Sequence, residues 1–180
     1  TGLELGSDIG ASIRNPAHYC GVFGHKPTFE LCPIRGHNLP PNLGTKDMMV
    51  IGPLARSADD LDIVLRLIAL PDEGAARGIK VALARPAPGI RKLRIGVMTD
   101  ADTAPVDNSV QERVLAAAAC FAKHGAKVSK LARPEIDLHQ AHKTFIYLVR
   151  GATSSALTGE QFAKQAAAAA NLAPGDESYQ

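Results

Sequence analysis

From residue 57 onward, apolar positions recur first with a helical and then with a strand period. Leu61, Val64, Leu65 and Ile68 stand at i, i+3, i+4 and i+7, one apolar face of a helix. Ser57 ahead of Asp59 and Asp60 supplies a cap and acids for the first turn, and Pro71 bounds the far end. Residues 93–98 (LRIGVM) read as a buried strand. Asp107 caps the next helix, whose face is Val110, Val114, Ala117, Ala118 and Phe121, and Gly125 stops it at C′. Residues 126–131 (AKVSKL) alternate like a second strand, so strand, helix and strand make a right-handed βαβ unit. Segments 137–150 and 158–171 read as helices, with a frayed polar tail from 174. Residues 71–93 form a Pro- and Gly-rich surface connection touching a strand at 80–84. Residues 1–56 carry little helical period and predict short strands and loops, with a brief helix at 12–19. The class is α/β, in one domain: 1–56 loops and strands, 57–173 the α/β region, 174–180 a tail.

Composition changes this picture little. The chain has 180 residues, 46% of them hydrophobic, enough for one core. Net charge is +2 with both signs mixed along the chain, and no Lys/Arg run tracks phosphates, so no nucleic-acid partner is expected. The alanine runs 116–119 and 166–170, and the nine apolar residues 114–122 around the first, fall far short of the ~20 residues that span a bilayer. Nothing at Thr1 reads as a signal peptide. Cys20, Cys32 and Cys120 fit no CxxC pattern and read as buried, free thiols of a reducing compartment, which places the chain in the cytoplasm. His139 and His142 stand at metal-ligand spacing, but no third ligand accompanies them, so no metal is assigned. No cofactor is expected.

The informative run is Gly6-Ser7-Asp8-Ile9-Gly10-Ala11-Ser12-Ile13-Arg14-Asn15-Pro16-Ala17. Small residues ahead of Ser12 allow a sharp turn and close approach to main-chain N–H groups. Such N–H groups, pointing one way, stabilise negative charge, including that of an attacked carbonyl. Asp8 and Arg14 are placed to pair and lock the loop. On the residues alone, Ser12 reads first as a helix cap and only second as a nucleophile. Neither the G-x-S-x-G elbow nor the P-loop pattern is present.

Residues 5–28 (LGSDIGASIRNPAHYCGVFGHKPT) resemble the second half of the signature of the amidase signature family. The pattern there runs G-[ST]-D-x-G-G-S-I-R-x-P-A, then C-G-V-x-G-x-K-P-T. Residues 50–57 (VIGPLARS) resemble a later run of the same family that also leads into a helix. The resemblance implies a mixed β-sheet flanked by helices and a Ser–cis-Ser–Lys triad. Residue by residue, the nucleophile falls on Ser12, the oxyanion N–H groups on Ile9, Gly10, Ala11 and Ser12, and loop support on Asp8 and Arg14. It implies a small-molecule amide substrate and hydrolysis through an acyl-serine.

Two departures accompany it. Ala11 replaces the second glycine, a change expected to be tolerated if its φ is negative and to be destabilising if positive. The bridging serine and the lysine of the triad lie upstream in the family and are absent. Residues 153–156 (TSSA) lack the flanking glycines, and Lys26 matches a different motif. The chain is therefore expected to be a piece of a longer protein and inactive alone. Unpaired sheet edges favour homo-oligomers. The rival readings are an amidotransferase-like subunit working in a complex and a non-catalytic truncated domain.

Overall fold

The computed structural model describes residues 1–37, 47–84, 89–99, 101–154 and 157–173; the expected tail from 174 and the end of the 153–156 run lie outside them. The chain divides into two compact units, residues 1–83 with 146–180, and residues 84–145.

In the first unit, β1 (Leu3–Asp8), α1 (Arg14–Cys20), β2 (Phe23–Gly24), β3 (Val50–Ala55) and α2 (Ala58–Ile68) follow in order. The sheet is antiparallel in the order β1-β3-β2, with Leu3 opposite Ala55 and Asp8 opposite Val50. The central strand β3 is the most buried and supplies Val50 and Ala55 to the core. It also contains Pro53, a residue normally excluded from central strands because it has no N–H. The neighbouring strand shows the result. His25 N–H donates to the Pro53 carbonyl at 3.0 Å, but Pro53 has no N–H to return, and β2 stops after Gly24. The α2 helix begins as expected, Ser57 Oγ accepting from Asp60 N–H at 3.1 Å, and turns Val64 inward.

In the second unit, β4 (Arg94–Gly96) and β5 (Lys127–Ser129) pair in parallel on either side, in sequence, of α3 (Asn108–Lys123). Asp107 caps α3 by accepting from Ser109 N–H. At the other end Gly125, at φ 96°, lets its N–H reach the Ala122 carbonyl and that of Ala126 reach the Phe121 carbonyl. These two bonds make a Schellman close, which requires the left-handed backbone glycine adopts freely. Helix α4 (Leu138–Ser154) begins in this unit and ends among residues of the first, and α5 (Gly159–Ala170), opened by a reciprocal Thr158–Gln161 capping box, belongs to the first unit.

The α/β class holds. Several expectations do not. The strand expected to be buried over 93–98 is Arg94–Gly96, with Arg94 and Gly96 exposed, and on α3 Ala118 is buried while Val114, Ala117 and Phe121 of the expected face are exposed. Residues 80–84 form no strand; two 3-10 turns, Ala75–Arg77 and Ile90–Lys92, stand in that connection instead. Cys20 and Cys120 are exposed, and only Cys32 is buried. The serine before α1 is not its cap, as the site geometry makes clear. Among the described residues, no helix is long and apolar enough to cross a membrane.

Candidate active site

Strand β1 delivers Asp8 to the start of a tight turn, residues 9–13, that runs into α1. The Asp8 side chain is wholly buried. One oxygen accepts from Ala11 N–H at 2.8 Å and from Arg14 Nη2 at 3.1 Å. The other accepts from Ile13 N–H at 3.2 Å, from Arg14 N–H at 3.4 Å and from Arg14 Nε at 3.0 Å. A carboxylate from the end of the preceding strand thus does the capping that a local Ser or Thr usually does. Burial alone pushes the Asp8 carboxyl up; the Arg14 guanidinium and then the Ala11 and Ile13 N–H groups outweigh it and hold it at about 2, against an ordinary 3.8.

Ile13 is the second anchor. It is completely buried, in a slot cut by one glycine from each strand. A Cβ on Gly6 of β1 would meet Ile13 Cγ1 at 3.3 Å, one on Gly24 of β2 would meet Cγ2 at 3.2 Å, and one on Gly52 of β3 would meet Cδ1 at 3.1 Å. The Gly52 position is tighter still, since a Cβ there would collide with the His25 carbonyl, the group that Pro53 leaves without a returning N–H. The three strands are therefore bare where Ile13 enters.

Ser12 sits between these anchors. Its side chain is exposed and, among the described residues, makes no hydrogen bond, so it does not cap α1. On its other side Ala11 has φ 104° and its carbonyl accepts from Asn15 N–H at 2.8 Å, carrying the turn into the helix. A left-handed φ at a non-glycine residue is strained, so the unfavourable branch of the Ala11 expectation applies. Of the four candidate oxyanion donors, the Ala11 N–H is engaged by Asp8. Those of Ile9, Gly10 and Ser12 make no hydrogen bond among the described residues. Lys26 Nζ donates to the Pro27 carbonyl and does not reach Ser12. His139 Nε2 lies 2.9 Å from Asp102, and no cluster of three or more metal-ligating side chains occurs among the described residues.

What the sequence did not reveal is the role of Ile13. The signal was present as glycines at 6, 24 and 52, but nothing in their spacing says that they face one side chain.

Against this geometry, comparison with known proteins is direct. The family model described as Amidase matches residues 2–174. The chain belongs to the amidase signature family. It is 33% identical over 139 residues to a glutamyl-tRNA(Gln) amidotransferase subunit of Lachnoclostridium phytofermentans, covering 75% of this chain and 27% of that protein. It is 35% identical over 135 residues to the corresponding mitochondrial protein of Homo sapiens, covering 72% and 25%. Among solved structures it is similar to a fatty acid amide hydrolase, with TM-score 0.67 and 26% identity over 82% of this chain and 26% of that one. A bacterial aryl acylamidase shares the fold, with TM-score 0.70 and 21% identity over 96% and 39%. The chain spans about a quarter of the length of the curated relatives it matches.

Proposed function

We propose that this chain carries the nucleophile and oxyanion portion of an amide hydrolase site, with Ser12 as the nucleophile. The observation that carries the reading is the turn itself: an exposed serine whose side chain makes no hydrogen bond among the described residues, held on both sides by a buried carboxylate and a buried isoleucine. Ser12 Oγ attacks the carbonyl carbon of a small-molecule amide. The oxyanion is received by the N–H groups of Ile9, Gly10 and Ser12; Ala11, the fourth donor of the family pattern, is committed to Asp8. The amine leaves with a proton, and water then releases the acid from the acyl-serine. Asp8 and Arg14 act as the loop's support.

A serine hydroxyl needs a base, and none lies within hydrogen-bond reach of Ser12 among the described residues. In this reading the base is the serine backed by a neutral lysine that the family resemblance implies, and without it the 180 residues hydrolyse amides poorly or not at all. Intact-mass labelling with a fluorophosphonate tests both halves. The folded chain stays unlabelled; a longer polypeptide containing the upstream segment gains one adduct, lost in Ser12→Ala. A stoichiometric adduct on the isolated chain overturns the inactive reading, and an adduct on another serine overturns the assignment of Ser12.

The names of the curated relatives favour a second reading, an amidotransferase-like subunit that works in a complex. Co-purification of partner subunits with the longer polypeptide supports it; turnover of free amides by that polypeptide alone supports the hydrolase. Two exposed thiols, Cys20 and Cys120, fit a reducing compartment, which supports a cytoplasmic location. Among the described residues β1 pairs on one side only, and its open edge, with Leu3 and Leu5 exposed, supports self-association.

A further inference from the structure

The second unit bears a charge pattern that its own residues leave unbalanced. Parallel register places Arg94 opposite Lys127 and Gly96 opposite Ser129, so two cations stand side by side on the face of the β4–β5 ribbon, on strands about 4.8 Å apart. Like charges opposed across a ladder are destabilising. Among the described residues, neither Arg94 nor Lys127 forms an ion pair. The unit as a whole holds ten Lys and Arg against six Asp and Glu, while the other unit holds ten against twelve.

A groove of about 390 Å³ opens here, bordered by Arg94, Ile95, Gly96, Lys127, Val128, Ser129 and Ala132. Its far wall is a fixed turn. Arg133 Nη1 donates to the carbonyls of Lys130 at 2.8 Å and Ala132 at 3.0 Å. A Cβ on Gly96 would come within 3.2 Å of the Ala132 methyl, so only a glycine leaves the floor clear. Ser129 Oγ accepts from the N–H groups of Leu131 and Ala132, which leaves the hydroxyl proton to be donated. The polar side chains among the lining residues are therefore donors, a guanidinium, an ammonium and a hydroxyl, beside the apolar Ile95 and Val128 and with no carboxylate. No aromatic side chain lines it, so it offers no stacking platform for a nucleobase.

We propose that this groove binds a phosphoryl group, its dianion held between Arg94 and Lys127 with Ser129 donating a further hydrogen bond. Adjacent cations that repel when the groove is empty are the arrangement a tetrahedral dianion stabilises. The shared chemistry fits inorganic phosphate or the phosphomonoester of a small molecule.

The test titrates inorganic phosphate, and separately phenyl phosphate, into the full chain at low ionic strength while backbone amide shifts are followed, with chloride at matched ionic strength as control. Saturable shifts confined to residues 94–96 and 127–132 are expected, weakened about tenfold in Arg94→Gln or Lys127→Gln. Saturation by both probes identifies an esterified ligand, and saturation by phosphate alone a free anion. Melting gives a second readout with opposite signs. Without phosphate, Lys127→Gln melts higher than the parent because a repulsion is gone; with saturating phosphate the order reverses. Shifts that match those with chloride, or variants that bind as the parent does, overturn the proposal.

Discussion

Asp8 and Arg14 form an unequal pair: the carboxylate is wholly buried, while the guanidinium that reaches it at 3.0 Å has 53% of its side chain exposed. The two partners therefore respond differently to removal. Asp8→Asn puts an amide where three backbone N–H groups and a guanidinium expect an anion, and should lower stability by about 3 kcal/mol. Arg14→Gln leaves the N–H groups in place and lets water approach, and should lower it by about 1 kcal/mol. Urea denaturation of both variants reads the difference, and equal losses would show that the N–H groups are not the main support.

The same carboxylate sets a pH window. Its folded value, about 2, lies below the ordinary 3.8, so within that interval the unfolded state binds more protons and stability rises with pH. The contribution, about 2 kcal/mol, is fully present above pH 3.8 and is lost as pH falls through about 2. Acid denaturation curves of the parent and of Asp8→Asn should converge at the low end of this window and separate at its top.

Ala11 sits at φ 104°, where a side chain is strained and glycine is not. Ala11→Gly should stabilise the chain by about 1 kcal/mol, against the usual trend in which added glycine loosens the unfolded state. A drop in the urea midpoint would place Ala11 in an unstrained conformation in solution.

The slot around Ile13 separates glycines that look alike in the sequence. Gly52→Ala drives a methyl into the His25 carbonyl and Pro27, and Gly24→Ala into the Ala17 methyl, so each should destabilise by about 3 kcal/mol or prevent folding. Gly10→Ala meets nothing within 4 Å and should change stability by less than about 1 kcal/mol. Thermal melts of the three variants side by side give the ranking, and a uniform cost would remove the slot from the account.

The outer edge of β1 gives a prediction on association. Leu5, 56% exposed on that edge strand, is a position where a charge discourages strand addition. Sedimentation of the parent should show mass growing with concentration, and Leu5→Lys should remain monomeric. A parent that is monomeric throughout the range removes self-association from the proposal.

Elements carrying their own local signals were legible in the sequence. Ser57, Asp107 and Gly125 announced the ends of α2 and α3, because a cap or a left-handed close depends on neighbours a few residues away. The strand expected at 80–84 was not formed, since alternation over so short a run says nothing about whether a partner strand is there to pair with. The exposure of Cys20 and Cys120 was likewise hidden, because burial habits are averages and these two lie on outward helix faces. At the site, the family pattern singled out Ser12, Asp8 and Arg14. It was silent on Asp8 replacing Ser12 as the helix cap and on Ile13 filling space left by three strands. Both are contacts between residues that only folding brings together.

The turn around Ser12 divides its tasks among different residues. Asp8 and Ile13 hold the backbone, Ala11 bears the strain, and the Ser12 side chain takes no part in either. Exchange of the hydroxyl for hydrogen, thiol or methyl thus leaves the scaffold untouched. Under the nucleophile role proposed for Ser12, variants at this position report on reactivity with folding held constant, a separation that a nucleophile which also braced its own loop would not offer.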